Sequence, residues 1–222
     1  MKKPEVDYRK LTFKNLNEPQ YAHLKLLWGW IIYFGFFVLT ERLIPAEQCY
    51  PVHCFLDDWI PFCEIFLIPY VFWYFLIAFT LIYFLLYHVD SFRKLQVYLI
   101  ILQTVALAIY ILFPNRQDLR PETFVRDNLL TRGVSLLYSI DTNTGVCPSM
   151  HVAYSIGIAS AWQKEKNVKR GWKVSVVVIA GIICLSTMFI KQHSAVDFFA
   201  ALPLCLLAEY LVYVRKGKRK RG

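Results

Sequence analysis

Two histidines, an aspartate, an arginine and a proline–serine pair carry the chemistry legible in this chain. His193 and Asp197 stand four residues apart. On a helix that spacing puts them on one face, one turn apart, so the carboxylate can fix the imidazole tautomer and leave the other ring nitrogen free to attack. The same spacing also serves a helix-local hydrogen bond that only neutralises a buried aspartate. Pro148 and Ser149 read as a helix start, because proline suits the first turn, where its missing N–H costs nothing. The free amides of such a start, reinforced by the helix dipole, receive an anion. His151, just inside the Ser149 hydroxyl, could protonate a leaving oxygen. Taken alone, Ser149 could be no more than a cap and His151 an interfacial polar residue. Arg120, before Pro121, offers a guanidinium fork, although an arginine in an exposed loop is usually only solvated. In combination these groups supply charge stabilisation, a nucleophile and an acid, the parts phosphoryl transfer requires. The set calls for no metal cluster and no cofactor.

The elements that must position these groups are membrane helices. Of 222 residues, 57% are hydrophobic and 17% aromatic, with a mean hydropathy of +0.40, more apolar than an ordinary soluble domain. A helix crosses the hydrocarbon core with about 20 apolar residues, and the chain supplies close to six such stretches. They run from Leu26 to Thr40, Ile65 to Tyr87, Leu95 to Phe113, Ser149 to Trp162, Val174 to Ile190 and Ala195 to Val214. The fourth is short, with Lys164 and Lys166 placed to snorkel from a thinned or tilted end. Pro69 and Pro203 fall inside spans, where membrane helices tolerate them as kinks. The expectation is a single all-α membrane domain over residues 1–222, a six-helix bundle, with no internal repeat or linker.

Orientation follows from Lys and Arg. The segment 1–25, the connection at Arg93 and Lys94, the connection from Lys164 to Lys173 and the tail 215–222 hold 19 of the 25 basic residues, and these segments alternate along a six-span path. The positive-inside rule places them, and both termini, in the cytoplasm of a multi-pass cell-membrane protein. The other face receives Arg42, Arg116, Arg120, Arg126, Arg132 and Lys191, four of them in one loop of about thirty residues, a length that usually has a job. All the candidate groups gather at that non-cytoplasmic face, where His and Asp are costly unless paired. The net charge of +9 is spread over separate segments, which argues against nucleic-acid binding.

Of six cysteines, Cys184 and Cys205 lie in apolar runs and no CxxC pairing appears. Cys49 and Cys54 share a loop, where a disulfide could form in an oxidising compartment. The polar first twenty residues are neither a signal peptide nor a transit sequence.

These residues resemble the three motifs of the type 2 phosphatidic-acid phosphatase superfamily. Arg120-Pro121 matches the end of the first, Pro148, Ser149 and His151 match Pro-Ser-x-His, and Ser186, His193 and Asp197 match the third. The resemblance spans about residues 95 to 214 and extends to the six-helix layout. It implies that His193 attacks phosphorus, Asp197 orients it, and His151 protonates the departing lipid alkoxide. Water, activated by His151, then frees phosphate from the phosphohistidine. Arg120, Ser149, Ser186 and the helix-start amides would hold the phosphate oxygens. Two positions depart from the pattern: Phe113 stands where the first motif has lysine, and Thr187 where the third has arginine. The threonine is similar to a branch of lipid phosphotransferases such as inositol-phosphorylceramide synthases. A lipid phosphatase and a lipid phosphotransferase therefore share this site, and a transporter or scaffold would need both histidines to be dispensable. The aromatic run Phe72 to Phe75 could touch a lipid tail, although interfacial belts and core packing explain such residues as well. The partners expected are a lipid phosphate and the membrane; the lipid and the oligomeric state are not set by sequence.

Lys191 is expected to replace the charge lost at position 187. The two are four residues apart, so a fifth helix running on through Lys191 would put both side chains on one face.

Overall fold

The structure, a computed structural model, describes residues 3–166 and 168–215. Helix accounts for 70% and strand for 2%. Among the described residues eight α-helices follow in order: α1 (Trp28–Leu43), α2 (Phe55–Trp59), α3 (Leu67–Tyr87), α4 (Val89–Leu112), α5 (Leu129–Ile140), α6 (Met150–Lys164), α7 (Arg170–Phe189) and α8 (Ala195–Glu209), the last continued by a π-turn, Tyr210–Val214. Among the described residues five helical stretches are long and apolar enough to cross a membrane: Ala22–Leu43, Glu64–Tyr87, Val89–Leu112, Arg170–Phe189 and Ala195–Val214.

The fourth apolar stretch of the sequence becomes α6, whose 15 residues fall short of that length. Its place in the fold explains why. It packs against α3, α4, α7 and α8 and buries nine residues, among them Val152, Tyr154, Ile158 and Trp162. A helix enclosed by protein has no bilayer thickness to match. Leu95, Leu99, Leu102 and Ala106 of α4 line the other side of this core. Close approach depends on Gly157: a Cβ there would lie 2.5 Å from the Tyr98 ring.

Two short helices, α2 and α5, sit in connections that the apolar pattern leaves as loops. Asn128 caps α5 by accepting from the amides of Leu130 and Thr131. Pro69 lies in the first turn of α3, where its missing N–H has no intrahelical bond to forfeit.

Polar contacts sort the molecule into two ends. At one, the Tyr8 hydroxyl donates to the Leu85 carbonyl and the Glu5 carboxylate accepts from the Val89 amide. Glu165 there binds His88 at 2.7 Å and accepts from Ser91, and Lys164 pairs with Glu209 at 2.7 Å. The N-terminal segment, the α3–α4 turn, the α6–α7 link and the C-terminal end of α8 therefore lie together. The α7–α8 turn, the start of α6 and α5 lie at the opposite end. The basic run 216–222 and Lys2 fall outside the described residues.

At that opposite end Tyr50–Pro51 pairs in parallel with Asn115–Arg116. The two-residue ladder fixes Asn115, which organises the loop into α6. Its Oδ1 accepts from the amides of Val146 and Cys147, and its Nδ2 donates to the Cys147 carbonyl.

Candidate active site

Two helix starts meet in one place. Ser149 is the N-cap of α6 and Ser194 the N-cap of α8. The Ser149 amide donates to the Asp197 carbonyl at 3.1 Å, tying the first turn of α8 to the mouth of α6. The Tyr110 hydroxyl donates to the Pro148 carbonyl at 2.7 Å and fixes the same corner from α4. His151 and His193 thereby come into contact, ring edge to ring, although 42 residues separate them.

The His193 Nδ1 lies 3.1 Å from the Asp197 Oδ2, and its Nε2 lies 3.3 Å from the His151 Nδ1. Asp197 is fully buried, and its Oδ2 also accepts from the Ser194 amide at 3.0 Å. A carboxylate on Nδ1 holds that nitrogen protonated, so the lone pair of the imidazole sits on Nε2. The His151 ring turns its Nδ1 toward that lone pair. Its other nitrogen is buried without a hydrogen-bond partner, and the ring stacks on Tyr70 (centroids 4.4 Å apart) and tilts against Trp73 (4.2 Å).

A cavity of about 190 Å³ opens on the pair. Its wall includes both histidines, Gln192, Asp141, Thr142 and Met150, with aromatic side chains from α1 (Tyr33, Phe34, Phe37), α3 (Trp73, Tyr74), α4 (Tyr110) and α6 (Tyr154). Trp73 and Tyr74, from the run considered for lipid contact, are wall residues, while Phe72 and Phe75 are exposed on the outside of the bundle.

Arg120 stands immediately behind this wall. Its guanidinium donates to the carbonyls of Tyr138, Asp141 and Thr142 and, at 2.6 Å, to the Gln192 Oε1, and lies 4.6 Å from the Tyr138 ring centre. All those acceptors are neutral. Burial pulls the Arg120 pKa below its ordinary value, with the Asp141 charge opposing. Asp141 accepts from Gln192 at 3.0 Å and from the Tyr70 hydroxyl at 3.3 Å. Burial raises its carboxyl above the usual range, while His193 and Arg120 pull it back.

The structure does not bring Ser186 and Lys191 to the cavity. The Ser186 hydroxyl is fully buried and donates to the Ile183 carbonyl, and Thr187 does the same to Cys184. Helix α7 ends at Phe189, so the shared face expected for Thr187 and Lys191 is not formed. Lys191 has a left-handed φ of 55°, and its amine donates to the carbonyls of Asp57, at 2.8 Å, and Ile60. What position 187 does contribute is its carbonyl, which accepts from the amides of Gln192 and His193. Arg116 and Arg126 are engaged elsewhere, with Asp118 and Glu64.

Asp141, Gln192, Tyr70, Asn115 and Asp57 carry no signal in helical spacing. They are polar residues in loops or at helix ends, and only the fold shows which of many such residues face inward. Cys49 and Cys54 are both free thiols. Burial, with the neighbouring Asp197 carboxylate adding to it, pushes the Cys147 thiol up to about 12, which leaves it protonated and a poor nucleophile. Among the described residues no three His, Cys, Asp or Glu side chains gather as a metal-ligand set.

No protein-family model matches the chain, and no curated protein or solved structure matches it either.

Proposed function

We propose that this chain is a multi-pass membrane enzyme that hydrolyses a phosphate monoester or pyrophosphate of a lipid through a phosphohistidine at His193, in the manner of the type 2 phosphatidic-acid phosphatases it resembles. The observation that carries the reading is the line Asp197–His193–His151, with contacts of 3.1 and 3.3 Å, at the wall of a cavity. In the first step the Nε2 lone pair of His193 bonds to phosphorus and the phosphorus–oxygen bond to the lipid breaks. The departing oxygen takes a proton from Nδ1 of the His151 imidazolium, the atom that faces the reaction centre, and leaves a neutral imidazole. In the second step His151 takes a proton from water, the water oxygen bonds to phosphorus and the phosphorus–nitrogen bond breaks. Arg120, with neutral partners only, and the amides at the start of α6 offer the positive field for the phosphoryl oxygens.

In the proposed topology the chain crosses the cell membrane six times, α6 being the fourth crossing. Both termini are cytoplasmic, and the cavity opens on the opposite face.

Transfer to a lipid or inositol alcohol is the second reading. It is favoured by Phe113 and Thr187, which stand where the resemblance has cations. Phosphate release from a panel of lipid phosphates by detergent-purified protein, with and without diacylglycerol or inositol acceptors, tests both readings, with His193→Ala as the blank. Release without acceptor is expected. Turnover that appears only with an alcohol would move the function to transfer, and turnover equal to the blank would reject both.

A further inference from the structure

Asp57 belongs to none of the groups that do the chemistry, yet two of the three hydrogen bonds to its buried carboxylate come from the turn that carries the nucleophile. It is 3% exposed. Its Oδ1 accepts from the Ala195 amide at 2.7 Å, and its Oδ2 accepts from the Ser194 hydroxyl at 2.6 Å and from the Cys54 amide at 2.8 Å. Ser194 is the residue between His193 and the start of α8, and its own amide donates to the same Asp197 oxygen that holds the His193 ring.

The clasp is reciprocal. Lys191, on the other side of the nucleophile, donates to the carbonyls of Asp57 and Ile60. The Cys63 amide donates to the Phe189 carbonyl at 2.9 Å, and Phe66 stacks on Phe189 with centroids 4.4 Å apart. The connection between α1 and α3 thus grips the α7–α8 turn at both ends. An isolated cap would satisfy α8 with Ser194 and Asp197, which already form a capping box. The second carboxylate, arriving from a segment 137 residues away in sequence, is surplus to capping. It restricts where Ser194 can sit, and through the Ser194 amide it restricts the Asp197 oxygen.

We propose that Asp57 is a positioning residue for the nucleophile: it fixes Ser194 and Ala195 so that Asp197 keeps His193 in one tautomer with Nε2 aimed into the cavity. This rests on the assignment of His193 as nucleophile. Misplacing a reacting group by about 1 Å costs on the order of 100-fold in rate. Asp57→Ala is therefore expected to lower kcat by about 100-fold with KM little changed, the split that marks an effect on the reacting geometry rather than on binding. Asp57→Asn, which keeps one acceptor for Ala195 but turns N–H groups toward Cys54, should fall between Asp57→Ala and the parent.

The deciding experiment adds a readout that needs no substrate: ring ¹⁵N spectra of the histidines in detergent micelles, with the His193 signals assigned by their loss in His193→Gln. The parent should show His193 as a single Nδ1–H tautomer, and Asp57→Ala should show it averaging between tautomers. A folded Asp57→Ala with parental His193 signals and parental kcat overturns the proposal; where Asp57→Ala does not fold, the same result in Asp57→Asn does so. Failure of the parent to act on any lipid phosphate would reject the proposed reaction, and the tautomer spectra would still decide the role of Asp57.

Discussion

His193 Nε2 and His151 Nδ1 face each other at 3.3 Å, with Asp197 on the far side of the His193 ring. In the proposed mechanism the resting pair therefore has its nucleophilic lone pair covered by its own acid, and substrate must part the two rings. His193→Ala should abolish turnover. His151→Ala should block turnover of an alkyl ester but still form phosphoenzyme from an aryl phosphate, whose leaving group needs no proton. Retained turnover in both variants would refute the histidine mechanism. One histidine acts neutral and the other protonated, so the rate should be bell-shaped in pH where chemistry limits it.

Arg120 donates to three carbonyls and to Gln192, with no carboxylate partner. A lysine cannot span those acceptors. Arg120→Lys and Arg120→Ala should both lose activity by about 10- to 1,000-fold, the cost of one electrostatic donor. Steady-state rates that stay within twofold of the parent in Arg120→Lys would show that charge alone, without the fork, suffices.

Asp141 places a carboxylate on the cavity wall that phosphate would approach in the proposed reaction. Removing it as Asp141→Asn should lower KM for a doubly charged lipid phosphate. The same change tests stability. Burial raises the folded-state carboxyl above its ordinary 3.8, so ionisation opposes folding. The parent should gain stability as pH falls through the raised value toward 3.8, and lose it as pH rises. Asp141→Asn should melt higher than the parent at neutral pH and show a flatter melting curve against pH in that window. A parent more stable than Asp141→Asn at neutral pH would contradict the sign.

How much of this was legible beforehand differs by residue. The His193–Asp197 contact was expected on one helix face, but His193 lies before Ser194, the N-cap of α8, and Asp197 reaches back to it from the third helical position; the start of α6 at Ser149 follows from capping chemistry, with Pro148 just outside the helix. Five apolar runs became helices long enough to cross a membrane. Helix α4 starts at Val89, before the apolar window at Leu95, because its first turn is polar and is capped by Glu5. The position of α6 at the centre was not legible, since hydropathy reports apolar character without saying whether lipid or protein covers it. Gln192 and Asp141 owe their place to the contact between the α7–α8 turn and the end of α5, a pairing 51 residues apart in sequence.

The proposed orientation predicts which positions a membrane-impermeant thiol reagent reaches in intact cells. Glu122→Cys lies at the cavity end and Lys166→Cys at the other, both at exposed positions. Labelling above the parental background at 122 and not at 166 is expected. The reverse would invert the topology and place the cavity in the cytoplasm.

Lys191 makes the sharpest test, because two different accounts assign its amine different partners. Were it a phosphate ligand replacing the charge missing at 187, Thr187→Arg would rescue Lys191→Ala. The Thr187 side chain is fully buried and bonded to its own helix, so an arginine there has no path to the cavity and should instead destabilise the protein. The amine binds the carbonyls of Asp57 and Ile60, so Lys191→Arg, which still donates there, should retain more activity than Lys191→Ala. The backbone adds a second discriminant. At φ 55° an alanine remains strained while glycine does not, so Lys191→Gly should be more stable than Lys191→Ala by about 1 kcal/mol. Both lack the amine and should share the same activity loss. Restored activity in Lys191→Gly would mean that backbone strain, not the lysine's grip on residues 57 and 60, governs the nucleophile turn.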